Sequence, residues 1–378
     1  MVDGASNPAG SVNTANERDI MHGVCHAVFA FDIGFAIDLD EAERAIAAIS
    51  RRAVILKKKR APQSIQSHDV PLSITEATPT FDLAGYSSAS TVDIVLYPFG
   101  AASVRFSFAI HNSLVDLVGL SEALYDHHPL AQQARQHLER LVESLGDAIS
   151  KPRLAPPVED YILFEIAESP GRTIESFLNE RRDILAKILR AEHETLSNQE
   201  VTDALAQSIA YGVRDGVIID WHAALLLGPD ADDVRAILEY ANVQLVQMRS
   251  LDDELESILD SSYELLARFK GIRQSFLGIG GSELRRLGVL HADSAILFEA
   301  ATHSMKLVGD QYLSRVYRSV SQRFHLPQWG ANINRKLETI DTIYDKMNDR
   351  QATVRLEVLE WIIIILILIE VVKGFWPA

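Results

Sequence analysis

Strand-like patterns dominate the first 170 residues of the chain. Runs rich in Val, Phe and Ile predict four strands, at residues 25–38, 91–97, 102–110 and 161–166. The second and third strands are separated only by Pro98-Phe99-Gly100-Ala101, which favours a β-hairpin. The spacing of apolar positions predicts one helix that begins near Asp38 and Asp40, and a second one over residues 114–149.

The order strand, helix, hairpin, helix, strand is typical of an α+β domain with an antiparallel sheet. We therefore predict such a domain over residues 23–170, with a ferredoxin-like arrangement as the specific candidate. Residues 1–22 are polar and rich in Gly, Ser and Asn, so we expect a disordered tail. After Pro170 strand signals nearly vanish, and residues 171–331 are predicted to form an all-helical domain.

From Ile333 onward the apolar positions step by four and three residues, as in a coiled coil. The predicted oligomer seam consists of Ile333, Leu337, Ile340, Tyr344, Met347, Val354 and Val358. This spacing predicts a coiled-coil stalk over residues 332–357, which needs a partner helix from the same chain or from a second copy. We favour a helical hairpin with residues 232–270, together with self-association into a homo-oligomer. The same register continues through Trp361, Ile365 and Leu368.

The segment 358–378 contains the densest apolar run of the chain, WIIIILILI at Trp361–Ile369. A helix with no polar face, bracketed by two tryptophans, is typical of a membrane anchor. The tryptophans are about 22 Å apart, which is short for a bilayer core of about 30 Å. The alternative is a helix or strand buried in a core. The residues of the predicted membrane segment are Leu359, Trp361, Ile362, Ile365, Leu368, Ile369, Glu370 and Trp376.

The predicted anchor sets the expected location. The first twenty residues lack the basic start and apolar stretch of a secretion signal. We therefore expect a tail-anchored, single-pass protein of the cytoplasmic membrane, with the bulk of the chain on the cytoplasmic side. Arg350 and Arg355, which precede the segment, agree with the positive-inside rule. Glu370 would need a partner in such a helix, and Lys373 lies one helical turn away.

Composition limits the range of partners. The 378 residues include 36 Lys and Arg against 52 Asp and Glu, a net charge of −16, so binding to nucleic acid would need a local basic patch. The one patch in the N-terminal half is Lys57, Lys58, Lys59 and Arg60, and a solvated loop is the more common role of such a run. Direct nucleic-acid binding is therefore not expected. Cys25 is the single cysteine, which excludes an internal disulfide.

Sequence motifs for catalysis are missing. The chain has no H-E-x-x-H, no G-x-S-x-G and no G-x-x-x-x-G-K-[ST]. Asp220-Trp221-His222 resembles a base beside its orienting group, but no nucleophile motif accompanies it. Gly278–Ser282 is more typical of an interhelical turn than of an anion-binding nest. We therefore predict no catalytic residue, no cofactor and no metal ligand, and a protein that is not an enzyme.

Four stretches of the chain are similar to a known family. They are LEWIIIILILIEVV at Leu359–Val372, ALAQS at Ala204–Ser208, INRKL at Ile333–Leu337 and YPFGAASVRF at Tyr97–Phe106. Together they resemble the "required for meiotic nuclear division" family, a group with a domain of unknown function, in its bacterial form. The resemblance implies a C-terminally anchored protein with an α/β head, whose mitochondrial relatives support translation at the inner membrane. The family has no established catalytic residues.

The predicted function is that of a non-catalytic membrane scaffold that recruits a protein or ribonucleoprotein partner. Two alternatives remain open. The first is an enzyme or nucleotide-binding protein with a site between the sheet and the helical domain, which a deep pocket with clustered ionisable groups would favour. The second is an RNA- or ribosome-binding protein that acts through Arg51–Arg60, which salt-sensitive RNA retention would favour.

Overall fold

The computed structural model divides the chain into two compact units. The residues that the structure describes are 21–50, 56–57, 71–167, 173–229, 231–268, 281–303 and 311–375. The first unit comprises residues 1–154, 158–243 and 306–324, and the second comprises residues 155–157, 244–305 and 325–378.

The first unit is built on a nine-stranded sheet with two short two-stranded sheets beside it. Its strands are β1 Gly23–Asp32, β2 Ala36–Ile37, β3 Leu56–Lys57, β4 Leu72–Ala77, β5 Asp82–Leu83, β6 Tyr86–Ser87, β7 Thr91–Tyr97, β8 Ala101–Ile110, β9 Ile149–Ser150, β10 Val158–Ile166, β11 Ser208–Ala210, β12 Gly216–Ile219 and β13 Ala223–Leu227. The large sheet has the order β11-β12-β13-β10-β1-β8-β7-β4-β3. Neighbouring strands are antiparallel except β10 and β13, which are parallel.

Nine α-helices and one short 3-10 helix, Gly146–Ala148, lie within the described residues. The α-helices are α1 Leu39–Ser50, α2 Leu114–Leu124, α3 His128–Leu145, α4 Ile174–Arg190, α5 Asn198–Ala204, α6 Asp232–Arg268, α7 Gly281–His303, α8 Gln311–Arg323 and α9 Leu326–Phe375. Their ends follow ordinary capping rules. The hydroxyl of Thr173, for example, accepts a hydrogen bond of 3.2 Å from the backbone N–H of Ser176 at the start of α4.

The core of the first unit lies on one face of the large sheet. Alternate residues of the central strands, including Phe29, Phe106 and Phe164, are buried against leucines of α2, α3 and α4. Phe29 and Phe106 meet edge to face, with ring centroids 6.1 Å apart. Each phenylalanine buried in this way stabilises the fold by about 1.5–3 kcal/mol, so this face provides the main driving force for folding of the unit.

The structure confirms the α+β class, with a largely antiparallel sheet followed by helices. It differs from the predicted all-helical region after residue 170, because β11, β12 and β13 extend the same sheet. Val217–Ile219 and Ala223–Leu227 are continuous apolar runs with every residue buried. Such runs lack the alternation that marks a half-buried strand, so hydrophobic periodicity alone cannot separate them from a buried helix.

In the second unit, α9 packs on α6 and α7. Lys336 forms an ion pair with Asp252 at 2.9 Å, and Leu259 of α6 packs against Ile343 and Met347. Later residues of α6 contact later residues of α9, so the two helices are parallel. The expected hairpin would have made them antiparallel. Five of the predicted seam residues are covered here: Ile333, Leu337, Ile340 and Met347 are buried, and Tyr344 is partly buried. Val354 and Val358 lie on α9, but their side chains are outside the described part.

The predicted transmembrane anchor is wrong. Among the described residues, no helix combines the length and apolar character that crossing a membrane requires. The physical reason is the pair Glu360 and Glu370, which limits the uncharged run to Trp361–Ile369. Nine helical residues cover about 14 Å, roughly half of a bilayer core. The predicted single-pass location in the cytoplasmic membrane is withdrawn with it, and Trp376 lies outside the described residues.

The turn between β7 and β8 gives a test of the fold. Gly100 has a φ of +81°, and its carbonyl accepts hydrogen bonds of 2.9 and 3.1 Å from Ile33 and Gly34. A Cβ at this position would lie 2.0 Å from the carbonyl oxygen of Gly34. We expect Gly100→Ala to lower the free energy of unfolding by more than about 2 kcal/mol, measured by urea denaturation with circular dichroism.

The matched control is Gly119→Ala in α2, where no heavy atom outside the adjoining helix backbone lies within 4 Å of the added Cβ. This variant should be neutral or stabilising by up to about 1 kcal/mol, because alanine is the better helix former. Equal stability of the two variants would contradict the packing described around Gly100.

Candidate functional site

The structure distributes the residues singled out in the sequence over separate regions. Asp220-Trp221-His222 forms the turn between β12 and β13 in the first unit, whereas the predicted seam and apolar segment lie on α9 in the second. Lys57 belongs to β3, and Lys58, Lys59 and Arg60 are outside the described residues. RNA binding by this patch therefore stays a prediction, as does a catalytic site between the sheet and the helical region.

The β12–β13 turn places a fully buried carboxylate between two arginines. The Asp220 side chain is inaccessible to solvent, and the Arg190 Nε and Arg323 Nε atoms lie 2.6 and 2.7 Å from its two oxygens. Arg190 ends α4 and Arg323 ends α8. The backbone N–H of Trp221 also donates to Asp220 Oδ1, at 2.8 Å. Asp220 therefore ties two helix ends to the edge of the sheet.

A second carboxylate, Asp203 of α5, completes this ion network. It accepts hydrogen bonds from Arg323 at 2.8 Å and from Arg190 at 2.5 Å. The bond from Arg323 is the main cause that holds the pKa of Asp203 below its usual value. Burial raises the pKa of Asp220, although the hydrogen bond from Arg323 opposes this shift. Because both oxygens of Asp220 face guanidinium groups, neither can orient His222, and the suggested base and orienter do not meet.

His222 lies instead at the base of an aromatic surface corner. Its ring centroid is 4.9 Å from that of Tyr125 and 5.5 Å from that of Trp221. The Tyr125 and Trp221 rings are perpendicular at 6.2 Å, and both side chains are about half exposed. The Asp160 carboxylate is 3.9 Å from His222 Nδ1. We call these four residues the aromatic corner.

Burial controls the protonation of two groups in the aromatic corner. Burial of the imidazole lowers the pKa of His222 to about 4, so this ring is neutral at physiological pH. Burial also raises the pKa of Asp160, and the nearby charge of Asp126 adds to the shift. The Nε2 atom of His222 has no hydrogen-bond partner within the described residues. The corner thus combines a neutral imidazole with the carboxylate of Asp160, and Asp126 lies nearby.

The polar face of the large sheet carries a relay that the sequence analysis missed. His26 Nδ1 is 2.9 Å from Ser107 Oγ, and His26 Nε2 is 3.5 Å from Glu165 Oε2. Arg235 of α6 donates to Glu165 at 2.5 Å. Burial lowers the pKa of His26, with Glu165 opposing, so the imidazole is neutral. The alternation of side chains along β1 and β8 could have revealed this set in the sequence. It places His26, Arg105 and Ser107 on the face of the sheet opposite to the phenylalanines.

This relay lacks one requirement of acyl transfer. Ser107 and His26 sit in mid-strand, where β1 is paired on both sides with β8 and β10. The backbone N–H groups of a strand point along the sheet toward the neighbouring strands, not into the polar face where an oxyanion would lie. Beside the relay, Arg105 is held by Glu239 at 2.8 Å and by Asp93 at 2.9 Å. The polar face is therefore best explained as paired charges that join α6 to the sheet.

Metal binding receives no support from the described residues, in which no group of three or more His, Cys, Asp or Glu side chains could hold an ion. Cys25 is buried in the apolar core, and burial raises the pKa of its thiol well above the ordinary value. It is therefore unsuited to act as a nucleophile or a ligand.

The C-terminal part of α9 exposes a continuous apolar surface. From Leu359 to Ile369 every side chain except Glu360 is large and apolar, with an exposed fraction between 47% and 60%. We call these residues the apolar segment. Soluble monomers rarely expose contiguous apolar surfaces of more than a few hundred Å².

The ion network around Asp220 gives a test by mutation. Asp220→Asn leaves two largely buried arginines without their central carboxylate, and we expect the free energy of unfolding to fall by about 3–5 kcal/mol. Asp203→Asn is the matched control because the same chemical change occurs at a half-exposed site in the same network. It should cost below about 1 kcal/mol in urea denaturation. Similar losses in both variants would show that Asp220 is not the centre of the network.

His222 predicts a specific dependence of stability on pH. Its pKa is about 4 in the folded protein and about 6.5 in the unfolded chain, so the unfolded chain binds more protons between these values. Stability from this group is therefore present above pH 6.5 and is lost as the pH falls towards 4. Between pH 7 and 4.5 the loss should be about 2–3 kcal/mol.

The variant His222→Phe keeps an aromatic ring in the corner but has no group that titrates there. Between pH 7 and 4.5 its free energy of unfolding should therefore fall by about 2–3 kcal/mol less than that of the unmodified protein. His128→Gln is the control, because the His128 side chain is 85% exposed. If His222→Phe and the unmodified protein lose stability equally in urea titrations at each pH, His222 is not the titrating group.

Comparison with known proteins corrects the family suggested by the four similar stretches. The family model described as the N-terminal domain of the uncharacterized protein MJ0711 matches residues 22–233, more than half of the chain. The uncharacterized protein MJ0711 of Methanocaldococcus jannaschii is 24% identical over 268 residues, which cover 69% of this chain and 74% of that protein. The predicted membership of the "required for meiotic nuclear division" family is therefore wrong, and its implied role in translation is withdrawn. The chain belongs to the family defined by the N-terminal domain of the uncharacterized protein MJ0711.

Proposed function

We propose that this protein is a non-catalytic scaffold that self-associates through the apolar segment of α9. The observation that carries this proposal is the exposure of ten large apolar side chains between Leu359 and Ile369 on one helix. A helix that is apolar on all sides is normally covered in its working state. Covering a half-exposed isoleucine or leucine contributes on the order of 1 kcal/mol, so a partner on this segment would gain several kcal/mol.

The place where the segment begins supports a second copy as the partner. The contacts Asp252 to Lys336 and Leu259 to Ile343 pair α6 with the first half of α9. At this register the described end of α6, Arg268, lies level with roughly residue 351 of α9. The coiled-coil spacing continues beyond that point, through Val358, Ile365 and Leu368. The first half of the seam thus packs against α6 of the same chain. The second half has the same spacing, but no helix among the described residues packs against it.

The charged residues of the segment fit this interpretation. Trp361, Ile365 and Leu368 occupy the a and d positions of the heptad, so Glu360 and Glu370 fall on positions c and f. Those positions face away from the seam and keep the carboxylates in water when two helices pair. A two-stranded seam therefore buries Trp361, Ile365 and Leu368 without burying either charge.

The core of the first unit supports the finer fold proposal, a ferredoxin-like arrangement. Its four central strands have the order β10-β1-β8-β7, with all neighbours antiparallel. The chain visits them as β1, α1, β7, β8, then α2 and α3, then β10, which is the βαββαβ order with additional strands at both edges.

Seam and non-seam positions give a sharp test of self-association. Ile365 and Ile363 have nearly equal exposed fractions, 50% and 54%, but only Ile365 lies on the seam. We expect the unmodified protein to be a dimer or larger in light scattering coupled to gel filtration. Ile365→Lys should weaken association at least about tenfold, because it puts a charge in the paired seam, while Ile363→Lys should retain the assembly.

A further control is Ile296→Lys on α7, where the isoleucine is also 54% exposed. It should leave the molecular mass unchanged. A monomeric unmodified protein would refute the proposal. Equal loss of association in Ile363→Lys and Ile365→Lys would show that the segment aggregates without a defined seam.

A further inference from the structure

We propose that the aromatic corner binds an organic cation, an alkylammonium or guanidinium group, against the exposed surfaces of Trp221 and Tyr125 and close to Asp160. This site lies in the first unit and does not depend on the self-association proposed for α9. The inference starts from the shape of the corner. The Trp221 and Tyr125 side chains are 45% and 49% exposed, and their ring planes are perpendicular with centroids 6.2 Å apart.

The two rings form an edge-to-face pair, the arrangement that aromatic side chains prefer, and both keep about half of their surface exposed. The faces of aromatic rings carry partial negative charge and attract cations within about 6 Å of the ring centre. A cation placed in such a corner can contact both rings at once. The corner is held in place by secondary structure, since Tyr125 directly follows α2 and Trp221 lies in the β12–β13 hairpin turn. The site is thus preorganised rather than formed by two mobile side chains.

The carboxylate of Asp160 and that of the nearby Asp126 supply the matching charge. The Asp160 side chain is largely covered, at 36% exposure, and among the described residues no lysine or arginine forms an ion pair with it. Asp126, which lies beside Tyr125 in the chain, is 73% exposed and adds a second negative charge. A partly buried carboxylate without a cationic partner is costly to maintain. An incoming organic cation would compensate Asp160 while it contacts the rings.

His222 is the base of the corner and does not oppose a cation. It is 3% exposed, its ring contacts both Tyr125 and Trp221, and its Nε2 atom has no hydrogen-bond partner within the described residues. Burial keeps this imidazole neutral at physiological pH. A small hydrated metal ion would gain little from two ring faces, whereas an alkylated ammonium or a planar guanidinium group gains both ring contact and charge.

The test uses the full chain labelled with 5-fluorotryptophan. The protein has four tryptophans, so the ¹⁹F spectrum should contain four signals, and Trp221→Phe assigns the one from the corner. The probes are choline, butylammonium and N-acetylarginine amide, each titrated to ~50 mM. We expect the Trp221 signal to shift with a dissociation constant of roughly 1–10 mM for at least one probe. A preference for choline indicates a free quaternary ammonium, and a preference for the arginine derivative indicates a side chain of a protein partner.

Matched controls separate charge from hydrophobic contact. The alcohol 3,3-dimethylbutan-1-ol has the shape of choline without its charge and should leave the Trp221 signal unchanged. Asp160→Asn should weaken binding of the preferred cation at least about fivefold, while Asp147→Asn, at an exposed site outside the corner, should not. Circular dichroism checks that both variants are folded. The proposal is overturned if no cation shifts the Trp221 signal, or if the neutral alcohol shifts it equally.

Discussion

The register of β1 between β8 and β10 is the constraint on which the first unit depends. Both pairings run along almost the whole strand, so each side chain of β1 is assigned to one face of the sheet. Phe29 and Phe31 face the core, while His26 faces the opposite side together with Arg105. A shift by one residue would bury these polar groups among phenylalanines and expose the aromatic rings. The hydrophobic effect and the cost of burying charge thus select the same register.

Charged side chains on the polar face of the sheet are held in ion pairs. Glu165 is held by His26 and Arg235, and Arg105 is held by Glu239 and Asp93. At the sheet edge, the Asp220 network in the same way connects α4, α5 and α8. In all these sets a carboxylate faces a guanidinium group, and such pairs fix the positions of helices. Asp160 differs because its close neighbour is a neutral imidazole, which makes the aromatic corner the place where a ligand could supply the missing charge.

How much could be predicted from the sequence varied with the kind of pattern. The β7–β8 hairpin could be predicted because two strand patterns flank Pro98-Phe99-Gly100-Ala101. The strands β12 and β13 were not, because a fully buried run has no polar face to reveal its period. Only part of the aromatic corner could be predicted from the sequence. Trp221 and His222 are adjacent in the chain, but Tyr125 and Asp160 come close to them only in the folded protein. No spacing in a single sequence records such a contact.

The apolar segment of α9 shows how a local pattern can be assigned to the wrong environment. Density of isoleucine alone argues for lipid, but length between charges decides whether a helix can cross a bilayer, and Glu360 and Glu370 stand too close together. In a paired helix the same two carboxylates have no desolvation cost, because heptad positions c and f remain in water. The spacing of Ile333, Ile340 and Met347 is already used for helix packing inside the second unit. Continuation of that spacing into the exposed half of α9 therefore argues for more helix packing, which the proposed second copy of the chain would supply.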